Sequence, residues 1–339
     1  MKILLHSDKM EAIEKSGVGR AIKHQMKALE LNGVSYTTDP NEDYDIIHIN
    51  TIFPESYAMG KKAKKMGKKV IYHAHSTEED FRNSFIFSNQ VAPLFKTWLK
   101  TCYSSADLVV TPTPYSKRLL DNYDLGKEVV AISNGIELEF FKKDKEAAKK
   151  FREDFNFNED DKIIMAVGLY IERKGIIDFV ELARRLPEYK FIWFGYTNLN
   201  TVPYKIREAV ETDLDNLYFP GYVPREVLKG AYSGADLFIF PTFEETEGIV
   251  LLEALATKIP VLIRDIPIYE GWFNDGTNVY KANDIDEFEE KIEGILESNL
   301  PCLVEEGYKV AAERDIKNIG KELKRIYEQV LSEEKMDIK

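Results

Sequence analysis

The sequence predicts an α/β protein of two domains, each a parallel sheet covered by helices, facing each other across a cleft. Three observations predict it. At 339 residues the chain is too long for one ordinary compact domain and suits two of roughly 150 to 200 residues, each able to bury a core. Short β-branched or aromatic runs alternate with mixed-charge helical stretches, the pattern of parallel strands joined by crossover helices. A charged, helix-prone stretch over 142–155 follows Asn134-Gly135 and divides the alternation into two halves.

In the first half the spacing predicts strands over 2–6, 34–38, 45–50, 69–73, 108–111 and 129–132. In the second it predicts strands over 162–168, 190–195, 217–219, 237–241, 260–263 and 279–281. The domains are accordingly 1–140 and 141–314. A final helix over 315–332 carries Ile316, Ile319, Leu323, Ile326, Tyr327 and Val330 at helical spacing, and this apolar stripe needs a surface, for which the first domain is the candidate. Sheets of this kind bind ligands beyond the carboxyl ends of their strands, so residues just after strands carry most of the functional argument.

Composition excludes several classes. The two cysteines, Cys102 and Cys302, offer no disulfide framework and no paired-cysteine metal site, which fits a reducing compartment. No secretion signal is visible, and no apolar run approaches the roughly 18 residues of a spanning helix. The expected location is the cytoplasm, with any membrane relation peripheral. The net charge of −12 lies entirely after residue 140, because residues 1–140 hold 18 cations and 18 carboxylates. A general nucleic-acid binder, which needs a broad basic face, is excluded.

Four segments carry chemistry. Ser16-Gly17-Val18-Gly19-Arg20 leads into a helix, either as a flexible turn or as a backbone that approaches a phosphate at a helix N-terminus. All five histidines fall within the first 75 residues, and His75, just past a strand, can reach into the cleft or serve the fold. Gly168 ends a strand and is followed by Arg173-Lys174-Gly175, two cations at a helix start that are either solvated or neutralised by a bound diphosphate. The strongest segment runs Glu244-Glu245-Thr246-Glu247-Gly248-Ile249 and on to Glu253. There the amides of Gly248 and Ile249 can point at an anion. Glu253 sits in an apolar helix, where a carboxylate needs hydrogen-bond donors, from ribose hydroxyls or from a salt-bridge partner. Asp213-Leu-Asp215 and Asp284-Ile-Asp286 read as turns and helix caps, and no metal or other cofactor is expected.

Taken in order, these segments resemble the retaining glycosyltransferases of family 4, whose GT-B fold pairs two Rossmann-like domains. Glu245 and Glu253 meet its Glu-x7-Glu signature, Lys174-Gly175 its phosphate-binding Lys-Gly, Asn134-Gly135 its interdomain segment and Gly17 with Gly19 its first glycine loop. The resemblance implies a UDP-sugar donor on the second domain, with Lys174 on the diphosphate, Glu253 on the ribose, Glu245 near the sugar hydroxyls and His75 across the cleft as the catalytic-site histidine. It departs where the family has Arg after the strand glycine, here Leu169, a place Arg173 is positioned to take. It departs again where the family has an aromatic in the turn, here Glu247, which stays among the donor-binding residues.

More narrowly, the segments 15–24, 73–85 and 244–250 resemble bacterial diglycosyl-diacylglycerol synthases, which implies transfer of glucose or galactose to monoglucosyl-diacylglycerol as the second hexose of the lipoteichoic acid lipid anchor. Other readings of the same residues are a family 4 transferase with a polysaccharide or protein-glycan acceptor, a sugar-nucleotide epimerase, or a non-catalytic donor-fold subunit. The residues themselves point toward an anionic membrane. Lys61, Lys62, Lys64, Lys65, Lys68 and Lys69 form a dense cluster able to attract anionic lipid. Phe85, Ile86, Phe87, Leu94, Phe95, Trp98 and Leu99 offer an apolar face flanked by Lys96 and Lys100. The alternative is solvated lysines and a helix buried in the core.

Overall fold

All twelve expected strands form, with ends displaced by no more than two residues. The computed structural model describes residues 1–14 and 16–332. Lys15, which begins one of the segments quoted above, lies outside the described residues. The first sheet contains β1 (Lys2–His6), β2 (Ser35–Thr37), β3 (Ile46–Ile49), β4 (Lys69–His73), β5 (Leu108–Thr111) and β6 (Val129–Ala131). The second contains β7 (Ile163–Val167), β8 (Lys190–Phe194), β9 (Leu217–Gly221), β10 (Leu237–Phe240), β11 (Val261–Arg264) and β12 (Tyr280–Ala282). Both sheets are parallel throughout, in the orders β2-β1-β3-β4-β5-β6 and β12-β11-β10-β7-β8-β9. The central strands are buried along nearly their whole length, which is why they read as continuous apolar runs rather than alternating ones. Pro220 is tolerated inside β9 because β9 is an edge strand.

The connecting helices of the first half are α1 (Met10–Ile13), α2 (Gly17–Leu31), α3 (Pro54–Lys65), α4 (Glu78–Phe81), α5 (Ser88–Ser104) and α6 (Pro114–Asp121). Those of the second are α7 (Lys145–Asp154), α8 (Ile176–Arg185), α9 (Tyr204–Val210), α10 (Arg225–Gly234), α11 (Ile249–Ala256), α12 (Ile285–Leu296) and α13 (Val304–Glu313), and the chain's last described helix is α14 (Ile316–Ser332). One face of the first sheet packs against α3 and α5 through Ala63, Leu99, Cys102 and Tyr103. The other packs against α2 and α14 through Leu29, Ile319, Leu323, Ile326 and Tyr327. The apolar stripe of the final helix therefore finds its surface on the first sheet.

Two chain segments join the halves side by side. The Ile136 amide donates to the Arg314 carbonyl (2.9 Å) and the Ile316 amide to the Ile136 carbonyl (3.1 Å). Gly135 stands at this crossing with φ +75°, and a Cβ there would lie 3.0 Å from Ile316 and 3.3 Å from the Arg314 carbonyl, so close passage requires glycine. The strand order reverses between β1 and β3 in the first sheet and between β7 and β10 in the second. The loops after these strands form the facing walls of one cleft, as the topology of doubly wound sheets dictates.

Candidate active site

The cleft has a volume of about 760 Å³ and is lined from both halves of the chain. From the first come Ser16, Gly17, Val18, Arg20, His75, Asp80 and Asn134. From the second come Gly168, Leu169, Arg173, Lys174, Tyr196, Tyr222, Glu245, Glu247, Gly248 and Ile249. Two helix N-termini face it. Ser16 caps α2 by accepting from the Gly19 amide, and among the described residues the amides of Gly17 and Val18 meet no protein acceptor. Gly248 opens α11 with φ +85°, and the same holds for the amides of Gly248 and Ile249. Such amides form an anion-binding surface.

Each cation of the cleft is matched by a carboxylate. Lys174 ends a 3₁₀ turn, Glu172–Lys174, and its ammonium pairs with Glu245. Burial lowers the Lys174 pKa, with the Glu245 carboxylate opposing that shift. The following Gly175, at φ +79°, is indispensable, since a Cβ would lie 2.2 Å from the Pro241 carbonyl. Arg173 reaches across the cleft to Asp80 (2.8 Å) and donates to the Glu244 carbonyl (2.7 Å). Arg20, from α2, pairs with Glu253 inside α11, and the Tyr232 hydroxyl donates to the other Glu253 oxygen (3.0 Å). Burial raises the Glu253 pKa while Arg20 works against it.

His75 belongs to the opposite wall. Its ring stacks on His73 with centroids 4.0 Å apart, and Nε2 lies 3.0 Å from Oδ1 of Asn50. Burial pushes its pKa down to about 3, so the ring is neutral at working pH. Among the described residues no group of three His, Cys, Asp or Glu side chains could hold a metal ion. Asp284, in one of the two Asp-x-Asp pairs, caps α12 by accepting from the Asp286 and Glu287 amides.

With this geometry in place, the likenesses to known proteins become decisive. The model of the glycosyl transferases group 1 matches residues 147–317, and that of glycosyltransferase family 4 matches residues 38–140. The processive diacylglycerol alpha-glucosyltransferase of Acholeplasma laidlawii is 45% identical over 98% of this chain and 99% of its own length. The chain is a family 4 glycosyltransferase. An alpha-galactosylglucosyldiacylglycerol synthase of Streptococcus pneumoniae is 25% identical to this transferase over 80% of the chain and 73% of its own length. Among solved structures, the sucrose-phosphate synthase of Thermosynechococcus elongatus superposes with a TM-score of 0.80 at 18% identity, over 98% of this chain and all of that one. Anabaena HepE in complex with UDP and glucose gives 0.77 at 14%, over 97% and 100%. These two likenesses establish the GT-B fold.

The transferase brings most of the expected residues to the cleft and turns the side chains of others toward protein partners. Gly17, His75, Gly168, Arg173, Lys174, Glu245, Glu247, Gly248 and Ile249 all line it. Glu253 does not: it is fully buried, and its carboxylate is taken by Arg20 and Tyr232, because a charge inside an apolar helix binds the nearest strong donors. Glu247 lines the cleft but turns its carboxylate toward the interdomain segment, where it accepts from the Ser133 hydroxyl, the Asn134 amide (3.0 Å) and Asn134 Nδ2 (2.7 Å). Arg173 is likewise committed to Asp80, so it does not stand as a free replacement for the arginine position occupied by Leu169.

The expected membrane face also divides. Leu99 is core, Phe95 stacks on Phe81, and Trp98 is half-buried with its indole N–H donating to the Ile52 carbonyl. Phe85, Ile86, Phe87, Val91 and Leu94 remain exposed, Phe87 at 69% and Leu94 at 73%. Of the lysines, Lys61, Lys62 and Lys65 are exposed, whereas Lys64 pairs with Asp107 (2.9 Å) and Lys68 with Asp43 (2.8 Å). Lys69 is half-buried. The basic helix α3 and the apolar start of α5 share one face of the first sheet and meet through Tyr57 and Trp98, whose rings are 5.7 Å apart. Among the described residues no helix is long and apolar enough to cross a membrane.

Arg20, Asp80 and Asn50 were missed by sequence reasoning. Each left a signal, since Arg20 and Asp80 lie inside quoted motif segments and Asn50 is the last residue of a predicted strand.

Proposed function

We propose that this transferase moves a hexose, glucose or galactose, from a UDP-sugar to monoglucosyl-diacylglycerol at the cytoplasmic surface of a membrane, retaining the anomeric configuration and giving an α-linked diglycosyl-diacylglycerol. The observation that carries the reading is the whole-length likeness to the Acholeplasma diacylglycerol alpha-glucosyltransferase. The cleft supports it. The diphosphate lies where the amides of Gly17, Val18, Gly248 and Ile249 converge, and Lys174 turns from Glu245 toward it, which leaves Glu245 to the sugar hydroxyls. Glu253 meets the ribose when Arg20 releases it. His75 faces the sugar from the other wall, and a closed cleft excludes water and suppresses hydrolysis. On the outer face, Phe85, Phe87 and Leu94 enter the lipid interface while Lys61, Lys62 and Lys65 meet anionic headgroups.

The test incubates the purified chain with UDP-glucose or UDP-galactose and anionic vesicles containing monoglucosyl-diacylglycerol. An α-linked diglycosyl product, formed equally well with a chelator present, is the expected result. Absence of both product and released UDP defeats the reading, and a chelator-sensitive rate restored by a divalent cation defeats its metal-free form. The printed name of the 45% identical relative includes "processive", which favours a second reading in which diacylglycerol itself is the first acceptor. Vesicles containing diacylglycerol alone separate the two by whether any glycolipid appears.

A further inference from the structure

In that reading His75 meets the sugar, and what its ring offers there depends on which nitrogen carries the proton. Two contacts leave the ring no freedom. The stack on His73, 7° from parallel, sets its plane, and the Nε2 contact to Asn50 Oδ1 sets its rotation within that plane. Asn50 is not free either. Gln25 Nε2 donates to Asn50 Oδ1 (3.0 Å), Asn50 Nδ2 donates back to Gln25 Oε1 (3.0 Å), and Gln25 Nε2 also lies 2.6 Å from His73 Nδ1. All four side chains are buried. An amide oxygen only accepts, so Oδ1 facing the ring requires the proton on His75 Nε2. The remaining nitrogen, Nδ1, has no protein partner among the described residues and is not among their buried unpaired atoms, which leaves it open to the cleft that His75 lines.

We propose that Asn50, locked by Gln25, is a positioning residue for His75: its Oδ1 accepts a hydrogen bond from Nε2–H, which keeps the proton on Nε2 and thereby presents Nδ1 as a hydrogen-bond acceptor to a hydroxyl of the transferred sugar. The inference rests on the reading of the cleft as a sugar-nucleotide site. The groups around the ring are consistent with a neutral acceptor. His73 and, beyond it, His48 are themselves held neutral by burial. Asp80 on the same wall is bound to Arg173, and Lys174 and Glu245 across the cleft neutralise each other.

The experiment combines ¹⁵N NMR of the histidine rings in the full chain, with His75→Gln to assign the signal, and steady-state kinetics of three variants whose folding is checked by thermal melting. In the wild type His75 shows a protonated Nε2 and an unprotonated Nδ1. Asn50→Leu lowers kcat by about 10- to 100-fold with the donor KM changed less than about threefold, since it loosens ring geometry rather than uniform binding. Gln25→Leu acts in the same direction and more weakly. Asn50→Asp keeps the accepting oxygen and is therefore active at alkaline pH. Its carboxylate raises the His75 pKa, so activity falls as pH drops through a limb displaced upward from the wild type. A proton on Nδ1 in the wild type overturns the proposal whatever the enzyme transfers. So does an Asn50→Asp profile parallel to the wild type, or equal loss in Asn50→Leu and Asn50→Asp at every pH, which is the signature of a merely structural asparagine. A wild type that binds and turns over no sugar nucleotide defeats the functional reading instead, and the NMR result then still decides the tautomer.

Discussion

The two walls of the cleft solve the same problem with different chemistry. The second-domain wall, after β7 and β10, works with charge: Lys174 against Glu245, Arg173 reaching to Asp80, Glu253 held by Arg20. The first-domain wall, after β3 and β4, works with neutral rings and amides, His75 and His73 stacked and Asn50 and Gln25 doubly bonded. Charges in a desolvated cleft are strong and respond to an arriving anion, so they suit a diphosphate. Neutral groups with every proton assigned are rigid and directional, so they suit hydroxyls. On the proposed reading, the pairing lets the cleft hold several carboxylates and still accept an anionic donor: the cations are present already, stored on acids that the donor would replace.

The comparison is broken most severely by removing a charge from the second wall. Lys174→Met strips the cation from the anion site and leaves Glu245 buried without its partner. Turnover with a UDP-hexose falls about 10²- to 10³-fold, measured as UDP release, whereas a residue serving only the fold would lower the melting temperature and leave turnover per folded molecule intact.

The ion pair that crosses the cleft comes next, and its two ends are unequal. Glu253 is fully buried while a quarter of the Arg20 side chain is exposed. Arg20→Gln strands a carboxylate in an apolar helix and costs about 3 kcal/mol, but Glu253→Gln leaves an arginine able to reach water and costs about 1 kcal/mol. Denaturant unfolding that ranks the two variants the other way would show that Glu253 does not depend on Arg20.

The same contrast explains what was legible in the sequence. A carboxylate inside Ile249–Ala256, or two cations before Gly175, is conspicuous because burial penalises it, so Glu253, Lys174 and Glu245 could be singled out by inspection. The central strands could be placed because buried parallel strands leave continuous apolar runs. The partners could not be placed: Arg20 and Glu253 are 233 residues apart, His48 and the Tyr327 hydroxyl that meets it 279. Neutral residues such as Asn50 and Gln25 carry no anomaly until the fold brings them together. Helix α5 left two readings open for a related reason, since a single apolar stripe around Phe95 and Trp98 does not reveal which of its residues the core takes and which stay exposed.

A smaller effect sharpens the boundary between the walls. Glu247, on the charged side, bonds only neutral donors of the interdomain segment, and burial pushes its pKa up to about 7 from an ordinary 4.5, with the Ser133 and Asn134 hydrogen bonds opposing. A raised folded pKa means that the native state binds the extra proton. The associated stability is complete below about pH 4.5 and is lost as pH rises through 7. Between pH 5 and 8 the wild type therefore loses about 2 kcal/mol that Glu247→Gln does not, read as a difference of several degrees between their melting-temperature profiles. Parallel profiles would mean that Glu247 is ionised throughout and belongs with the other charges.

The weakest effect concerns charge on the outer face of the first domain. Replacing Lys61, Lys62 and Lys65 by Gln removes three exposed ammonium groups, each contributing about 1 kcal/mol near an anionic surface, so vesicle partitioning drops and its salt dependence flattens. The matched double variant Lys64→Gln with Lys68→Gln changes partitioning less per residue, because those ammonium groups already neutralise Asp107 and Asp43 and release fewer counterions from lipid. Co-sedimentation with vesicles of graded anionic content measures both. Equal losses per lysine would show that local pairing is given up at the membrane and that net charge alone draws this face to lipid, whereas no loss in the triple variant would assign the docking to Phe87, Leu94 and their apolar neighbours.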